Sequence, residues 1–364
     1  MTVNQFEGLN KIPVKTKKWV NVNEITITDY EMPKINPFNN VNIIGDYIEG
    51  IIIDKLQKGG VMPLNKKFIY GVGENLINQG ERDFNEGYLI KIGKDIKTEK
   101  PIIIEFNMDK DNKTLVDNII IVGEENSKAD IVVKYKSLDE SENYHNGVCK
   151  IFAKENSDIK LTKINLLNNK GHHFDSNLAE IMNEGNVNFI YVDFGARYSI
   201  SNYHGDLAYD NGRSTINSIY LGEGNKGIDT NYIMTHKGRR TNSEIIVQGA
   251  LKDQAKKNFK GTIDFKRGAV KSKGSEEEYC MILSDKAKAK AAPLLLCEEE
   301  DVSGNHAASS GKINEEKLFY LMTRGISYEE ARRLIIEAAF NPIIDKLSSD
   351  ELKEEIVNEI KRRL

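Results

Sequence analysis

Short segments in which polar and apolar residues alternate dominate the middle of this chain, and they constrain its fold more than any other feature. Between residues 87 and 296 such runs recur, as in VNFIYVDFG at 187–195 and SEIIVQGAL at 243–251, separated by Gly, Asn and Asp. Alternation with a period of two places successive side chains on opposite faces of a strand. A sustained apolar stripe at helical spacing is almost absent there, which disfavours a sheet built from alternating strands and helices. The region is predicted to be all-β.

A weak internal repeat favours a solenoid among the all-β folds. The triplets ENS at 125–127, ENS at 155–157 and EGN at 184–186 recur at intervals of about 30 residues, each just before an apolar strand. Turns at a fixed period suit a β-helix, in which each coil buries its inward side chains only by stacking on its neighbours. The repeat is short, so a sandwich or a barrel stays open on this evidence alone.

The flanks of the β region differ from it in pattern. Residues 1–85 combine a basic segment around Trp19, proline-interrupted stretches and the apolar run IIGDYIEGIIIDKL, and we interpret them as a small, partly helical N-terminal region. Residues 86–312 are the predicted β core. Residues 313–364 are predicted to form a C-terminal helical region.

The C-terminal region carries clear helix start and stop signals. Asn314, Ser327 and Ser348 are predicted N-caps, and each serine is followed at the third position by a glutamate, as in a capping box. Gly325 supplies a left-handed end to the first helix, and Pro342 is expected to kink or end the second. The third helix has one apolar stripe at four-residue spacing that must pack on something, formed by Leu352, Ile356, Ile360 and Leu364.

Composition and charge exclude several classes of function. A net charge of −4, with 39% hydrophobic and 29% charged residues, predicts a globular protein without general affinity for nucleic acid or anionic membranes. Neither a signal peptide nor a membrane span is recognisable, so we expect a cytoplasmic protein. Its cysteines are Cys149, Cys280 and Cys297; their odd number and wide spacing predict reduced thiols.

Motifs for independent catalysis are missing from the sequence. There is no G-x-x-x-x-G-K-[ST] phosphate loop, no G-x-G-x-x-G that opens a βαβ unit, no G-x-S-x-G elbow and no H-E-x-x-H. We therefore predict that the chain is not an enzyme, and that any ATP chemistry comes from another subunit.

The most unusual segment is PLLLCEEEDVSGNHAASSGKI at 293–313, which joins the β region to the terminal helices. In one interpretation Cys297 is a buried small hydrophobe, the acidic residues 298–301 form a solvated turn, and His306 bonds the backbone. In the other, His306 offers a ring nitrogen to iron, because imidazole can replace cysteine on a cluster iron. One imidazole cannot hold a metal by itself, so a partner chain would complete such a site.

The other histidines and one basic segment carry less information. His172 and His173 follow LLNNKG and are expected in a loop, exposed to solvent rather than binding metal. His204 and His236 are expected near strand ends in structural roles. The KGRR segment at 237–240 is either a phosphate-binding stretch or a corner of a β-helix.

The residues from Pro293 onward resemble a known signature. The run GNHAASSGKINEEKLFYLMTRGISYEEARRLIIEAAF is similar to the C-terminal signature of the SufB/SufD family: an acidic segment, a histidine, small residues, a helix with FYL, an RGI turn and an A-x-x-L-I helix. PVKTKKW near the N-terminus resembles the family's P-V-x-T-x-x-W, and THKGRRTNSE followed by FKGTIDFKRGA adds support. The similarity covers nearly the whole chain and is strongest in its last part.

This resemblance implies a fold and partners. Members of the family fold as a right-handed parallel β-helix with a C-terminal helical region, and they act in iron–sulfur cluster assembly. Their SufB and SufD subunits pair through the β-helices, and each binds the ATPase SufC through its C-terminal helices. The linker resembles that of SufD members, because SufB proteins have a longer insert with a cysteine before the histidine and a glutamate after it, whereas Ala307 follows His306 here.

The resemblance also implies site residues. His306 inherits a role in holding a nascent cluster or iron shared with SufB, with Cys297 as a weaker candidate; many relatives have a cysteine where this chain has Gly304. The candidates for contact with SufC are Phe319, Tyr320, Arg324, Gly325 and Ile326, which could equally be ordinary packing and turn residues. No tightly bound cofactor is expected on the isolated chain, only a transient cluster or iron in the complex.

Other hypotheses stay open. The chain could act as a SufB-like scaffold, as a homodimer when isolated. It could also be a β-helix enzyme that acts on polysaccharides, which would need paired carboxylates on one exposed face.

Overall fold

The computed structural model describes residues 6–16, 21–28, 30–45, 48–58 and 70–364. Strands account for most of the regular structure, and they form a parallel β-solenoid of about eight turns. The strands are β1 (Val41–Ile44), β2 (Ile51–Lys55), β3 (Glu86–Ile92), β4 (Ile102–Met108), β5 (Thr114–Gly123), β6 (Lys128–Ser137), β7 (Tyr144–Ala153), β8 (Asp158–Leu166), β9 (His172–Ile181), β10 (Asn186–Asp193), β11 (Tyr198–Leu207), β12 (Arg213–Gly222), β13 (Gly227–His236), β14 (Asn242–Leu251), β15 (Lys256–Phe265), β16 (Lys273–Ile282), β17 (Lys288–Cys297) and β18 (Ser303–Lys312). The helices are α1 (Glu74–Arg82), α2 (Glu315–Thr323), α3 (Tyr328–Ile344) and α4 (Asp350–Arg363).

Successive strands alternate between two nine-stranded sheets. One sheet has the order β1-β4-β6-β8-β10-β12-β14-β16-β18, and the other the order β17-β15-β13-β11-β9-β7-β5-β3-β2. From β3 onward all pairings are parallel and in register, whereas β1 pairs antiparallel with β4 and β2 pairs antiparallel with β3. These two antiparallel strands therefore cover the first turn. The predicted mainly β fold, a parallel β-helix with C-terminal helices, is confirmed.

One corner of the solenoid explains the sequence repeat. Each turn places one residue there with a positive φ, and Asn126 and Asn156 have values of 59° and 53°. Asn156 Nδ2 donates to Asn126 Oδ1 at 2.8 Å, and Asn126 Nδ2 donates to Asp95 Oδ1 at 2.8 Å. Asparagine tolerates the left-handed conformation better than most residues, so it recurs at this position. Arg240 belongs to the same column, which places KGRR at a corner.

The interior of the solenoid, its lumen, is filled by the inward side chains of both sheets. Isoleucine, valine and phenylalanine pack there in the early turns, together with Tyr135, and the large tyrosines Tyr203 and Tyr232 lie in later ones. The outer faces are covered too. α3 and α4 pack on the sheet that contains β10, β12 and β14, and the N-terminal segments with α1 pack on the other sheet.

The C-terminal helices start largely as predicted. The side chain of Asn314 accepts a hydrogen bond from Lys317 N, that of Ser327 accepts one from Glu330 N, and Gly325 has a φ of 86°. The cap of α4 was predicted wrongly. Ser349, not Ser348, accepts from Leu352 N, because the Ser348 hydroxyl donates to Asp130 on the sheet.

Two further expectations about the terminal regions have clear outcomes. α3 continues through Pro342 and ends at Ile344, so the proline does not end the helix. The predicted stripe of α4 packs on the outer sheet face, where Leu352, Ile356 and Ile360 are buried. The basic segment around Trp19 lies outside the described residues.

His172 and His173 are not in a solvated loop, so that prediction was wrong. Both lie on β9 and are buried, because the strand begins directly after the turn. His172 points outward and stacks on Tyr30, with ring centroids 3.6 Å apart. His173 points into the lumen. Burial lowers the pKa of His172 to about 4, and that of His173 falls as well.

His236→Asn should make the protein less sensitive to acid. His236 is buried between Thr241 and Ser243, whose hydroxyls lie 2.7 Å from its two ring nitrogens, and burial lowers its pKa to about 3. The unfolded chain takes up a proton near pH 6.5 and the folded chain does not, so stability is lost as pH falls below 6.5. Between pH 7 and pH 5 this one group removes about 2 kcal/mol. Urea unfolding at pH 7 and pH 5 gives the loss of unfolding free energy between the two pH values, and this loss should be about 2 kcal/mol smaller in the variant. An equal loss in both proteins would contradict the lowered pKa of His236.

Candidate functional site

The last turn of the solenoid is open, unlike the first. β17 and β18 are the outermost strands of their sheets within the described residues, and most of their side chains are exposed or half-buried. Each strand pairs on one side, with β15 and β16 respectively. Edge strands of this length leave a row of backbone N–H and C=O groups free to pair with another chain. We call this surface, β17 with β18, the open end.

The two candidate iron ligands both lie at the open end. His306 lies on β18 in register with Glu276, and Cys297 is the last residue of β17, in register with Phe265. Since Glu276 and Phe265 are buried inward residues, both candidates continue inward-facing columns. Cys297 is exposed, not buried, and its Sγ donates to Glu299 O at 3.0 Å. The interpretation of Cys297 as a buried small hydrophobe is therefore wrong.

A charged layer lies one turn inside the open end. Lys257 Nζ lies 2.5 Å from Glu278 Oε1, and the Tyr220 hydroxyl donates to the same oxygen at 2.8 Å. Glu276 is on the same strand and also faces inward. Burial, with a smaller contribution from the charge of Glu278, raises the pKa of Glu276 to about 8. Burial also raises the pKa of the Cys280 thiol to about 11, so this thiol is a poor nucleophile.

The chain does not assemble a complete metal site from its described residues. No group of three or more His, Cys, Asp or Glu side chains there has the geometry to hold a metal ion. His306 and Cys297 thus lie on consecutive strands of one turn, and the described residues do not complete a site of three ligands around them. Any ion held there would need additional ligands from outside.

A second candidate surface lies on the C-terminal helices. Phe319 and Tyr320 on α2 are 70% and 57% exposed, and Met322 on α2 and Tyr328 at the start of α3 are 43% and 47% exposed. Arg324 lies over the Tyr320 ring, 5.2 Å from its centroid. We call Phe319, Tyr320, Met322 and Tyr328 the aromatic patch. Clustered large apolar side chains in water are typical of an interaction surface.

The remaining candidates for SufC contact lie in the turn beside the patch. Arg324 is the C-cap residue of α2, and Gly325 follows it in the left-handed conformation. Ile326 N donates to Leu321 O and closes the turn. These residues therefore connect α2 to α3 and determine how α2 is oriented relative to α3.

Sequence reasoning missed a buried polar network in the middle of the lumen. His145 Nε2 lies 2.6 Å from Asp117 Oδ1, and His145 Nδ1 lies 2.7 Å from His173 Nδ1. His173 Nε2 lies 2.9 Å from the Tyr191 hydroxyl. A chain of neutral imidazoles satisfies all these contacts when the tyrosine hydroxyl donates at one end and the aspartate accepts at the other. The signal in the sequence was polar residues at inward-facing positions of the alternating pattern.

An ion pair extends this network. Lys163 Nζ donates to Asp175 Oδ1 at 2.6 Å, and both side chains are fully buried. Asn177 Nδ2 donates to the other oxygen of Asp175 at 2.8 Å. Cys149 lies in the same region, where burial raises its pKa to about 12. The ammonium, carboxylate and amide groups bond to one another, so a structural role accounts for their arrangement.

Comparison with known proteins identifies the class. The family described as "SUF system FeS cluster assembly, SufBD core domain" matches residues 106–339, which extend from β4 in the first turn of the solenoid into α3. The chain therefore belongs to the SufBD family of iron–sulfur cluster assembly proteins, and its form is SufD-like.

Individual relatives agree with the family. The chain is 27% identical over 294 residues to the iron–sulfur cluster assembly protein SufD of Bacillus subtilis, a match that covers 77% of this chain and 64% of that protein. It is 24% identical over 263 residues to SufBD family proteins of Staphylococcus saprophyticus and Staphylococcus epidermidis, covering 72% of this chain and 56% of each. The chain thus spans less than two thirds of the length of these relatives. In the part of the chain that the structure describes, none of the helices combines the length and apolarity needed to cross a bilayer.

Proposed function

We propose that this chain is the SufD-type, non-catalytic scaffold subunit of a SUF assembly complex, pairing with SufB at the open end and binding the SufC ATPase through the aromatic patch. The observation that carries the proposal is the open end itself, which presents His306 among exposed strands. A partner of similar architecture can add its own strands there and bring the ligands that this chain lacks.

The division of labour follows from the residues. Family membership supports a role in cluster assembly, and the chain has no phosphate-loop motif, so nucleotide hydrolysis is assigned to SufC. Iron and sulfide are the substrates of the assembly. His306 would hold iron or a nascent cluster transiently, because an imidazole nitrogen is a suitable iron ligand.

Co-purification of this chain with its cognate SufB and SufC tests the proposal. His306→Ala should leave the complex intact and lower its bound iron and sulfide. Unchanged iron and sulfide would make His306 structural. Failure of the wild-type chain to form the complex would overturn the scaffold assignment. A cluster reconstituted on this chain without SufB would instead favour the homodimeric, SufB-like scaffold.

Replacing Phe319 and Tyr320 together by alanine should weaken binding of SufC by roughly tenfold or more, because buried aromatic anchors dominate interface energies. The fold should be unaffected, since both side chains are mainly exposed. Tyr209→Ala removes another exposed aromatic side chain, far away on a turn of the solenoid, and is the matched control. Binding measured by calorimetry should be unchanged in the control; equal affinities for all forms would exclude the patch as the SufC surface.

A further inference from the structure

Glu276 is a buried carboxyl group without a partner, one strand inward from His306. Its side chain is 1% exposed, and within the described residues neither Oε1 nor Oε2 has a hydrogen-bond partner. Glu278, on the same face of the same strand, is bonded by Lys257 and Tyr220. A buried polar group left unpaired destabilises a folded protein, so such a group calls for a specific explanation.

A slot in the opposite wall holds the carboxyl group. Gly261 on β15 faces it, and a Cβ at Gly261 would lie 2.2 Å from Glu276 Oε1 and 2.3 Å from Cδ. Any larger residue at this position would displace the carboxyl group. The side chain of Glu276 therefore reaches across the lumen into a space that exists only because residue 261 is glycine.

The slot lies directly beneath the open end. Glu276 is in register with His306, and Gly261 is in register with Pro293 on β17. Neighbouring strands are about 4.8 Å apart, so in-register side chains on one face lie within reach of a shared ion. The neighbouring inward positions of the last turn are held by Ala291, Pro293 and Leu295 on β17 and by Ala308 on β18. Since Pro293 stands in register over Gly261, the Glu276 carboxyl group would share an ion with His306 by turning from the slot toward β18.

No cation of this chain is available to Glu276 within the described residues. The nearby ammonium group of Lys257 is already engaged by Glu278 at 2.5 Å. A cation that enters from the open end would meet an imidazole first and the Glu276 carboxyl group behind it, and the carboxyl group would release its proton to solvent as it binds the ion. Imidazole suits iron, and sites that combine histidine with a carboxylate are characteristic of non-haem Fe(II).

We propose that Glu276 and His306 form the inner half of a ferrous-ion site at the open end, with the remaining ligands supplied by water or by the partner subunit. The inference rests on the proposed function through His306 and adds a ligand from inside the lumen. The ion held is Fe²⁺ delivered for cluster assembly, with no change of oxidation state in the binding step.

Anaerobic titration tests this site. The full chain, alone and in complex with SufB and SufC, is titrated with Co²⁺, whose visible absorption reports its ligands, and Fe²⁺ is then added in competition. The variants are Glu276→Gln, His306→Ala and, as matched control, Glu277→Gln, which removes an exposed carboxylate from the adjacent position. Glu276→Met fills the same space without polar atoms and serves as a second variant if the glutamine variant folds poorly.

Glu276→Gln and His306→Ala should each weaken binding of both ions by roughly tenfold or more, since even the removal of outer-shell partners costs about 10–100-fold in metal affinity. Glu277→Gln should bind as wild type. If only His306→Ala weakens binding, Glu276 is not a ligand, and the inference fails while the proposed role of His306 survives. If neither variant weakens binding, or if wild type binds neither ion, the inferred site and the proposed role of His306 are both overturned.

Discussion

Asp175→Asn will lower the free energy of unfolding by about 3–5 kcal/mol, because it leaves the ammonium group of Lys163 buried without a counter-charge. The two groups are 2.6 Å apart, and both side chains are fully buried in the lumen. Adding Lys163→Met should recover most of the loss, since an apolar side chain of similar length needs no partner. Urea unfolding of the two single variants and the double variant gives the coupling energy directly.

Asp285→Asn is the matched control for this experiment. Asp285 pairs with Lys312 at 3.2 Å on the surface, with side-chain exposures of 90% and 73%. Exposed pairs contribute about 0–1 kcal/mol, so this variant should unfold almost as wild type does. Similar losses for Asp175→Asn and Asp285→Asn, or a double variant that loses the sum of its single changes, would contradict the role given to the buried pair.

Hydrogen exchange can locate the damage from Asp175→Asn. Solenoid turns contact mainly their neighbours, so a local defect should lower the stability of adjacent turns most. Amides of β7, β9 and β11 should lose protection more than those of β17 and β18. Uniform loss along the chain would mean that the solenoid unfolds as one unit.

Phe340→Ala will cost about 3–5 kcal/mol, because it removes a fully buried aromatic ring from the layer between α3 and the outer sheet face. The ring stacks on Phe194, with centroids 6.3 Å apart. α2 contacts α3, so a loosened α3 should also disturb the position of the aromatic patch. The thermal unfolding temperature should fall, and the proposed binding of SufC should weaken.

Phe319→Ala makes the same chemical change at an exposed position. It separates the loss of stability from the loss of partner binding. It should change the stability by less than about 0.5 kcal/mol, as substitutions of exposed residues usually do, while still weakening the proposed binding of SufC. Equal losses of stability at the two positions would show that the exposed ring of Phe319 contributes to the fold.

The alternating pattern was sufficient to predict strands, and the capping residues Asn314 and Ser327 were sufficient to predict where α2 and α3 begin. Both signals are local and act through backbone geometry. The cap at Ser348 was predicted wrongly because a hydroxyl on the neighbouring residue does the capping, while Ser348 bonds a strand distant in sequence. Sequence spacing alone could not choose between two adjacent serines.

The polar content of the lumen was harder to predict than the strands that enclose it. The run SEEEY at 275–279 reads as a solvated acidic stretch, yet its alternation sends Glu276 and Glu278 inward and Glu277 outward. His306 was singled out by its unusual segment and by the resemblance, not by its surroundings, because its neighbours in space come from β16 and are distant in sequence. Which polar residues face inward is decided by the register between turns, which no single segment encodes.

The antiparallel strands β1 and β2 limit how such molecules can associate. They occupy the outer edges of the first turn, whereas β17 and β18 leave the last turn free. A stack of solenoids needs two joinable ends per molecule to grow, and among the described strands the long free edges belong to β17 and β18, whereas β1 and β2 are short. Contact between two last turns therefore uses the long free edges that the described strands offer, so edge pairing favours a closed two-body unit over a fibre.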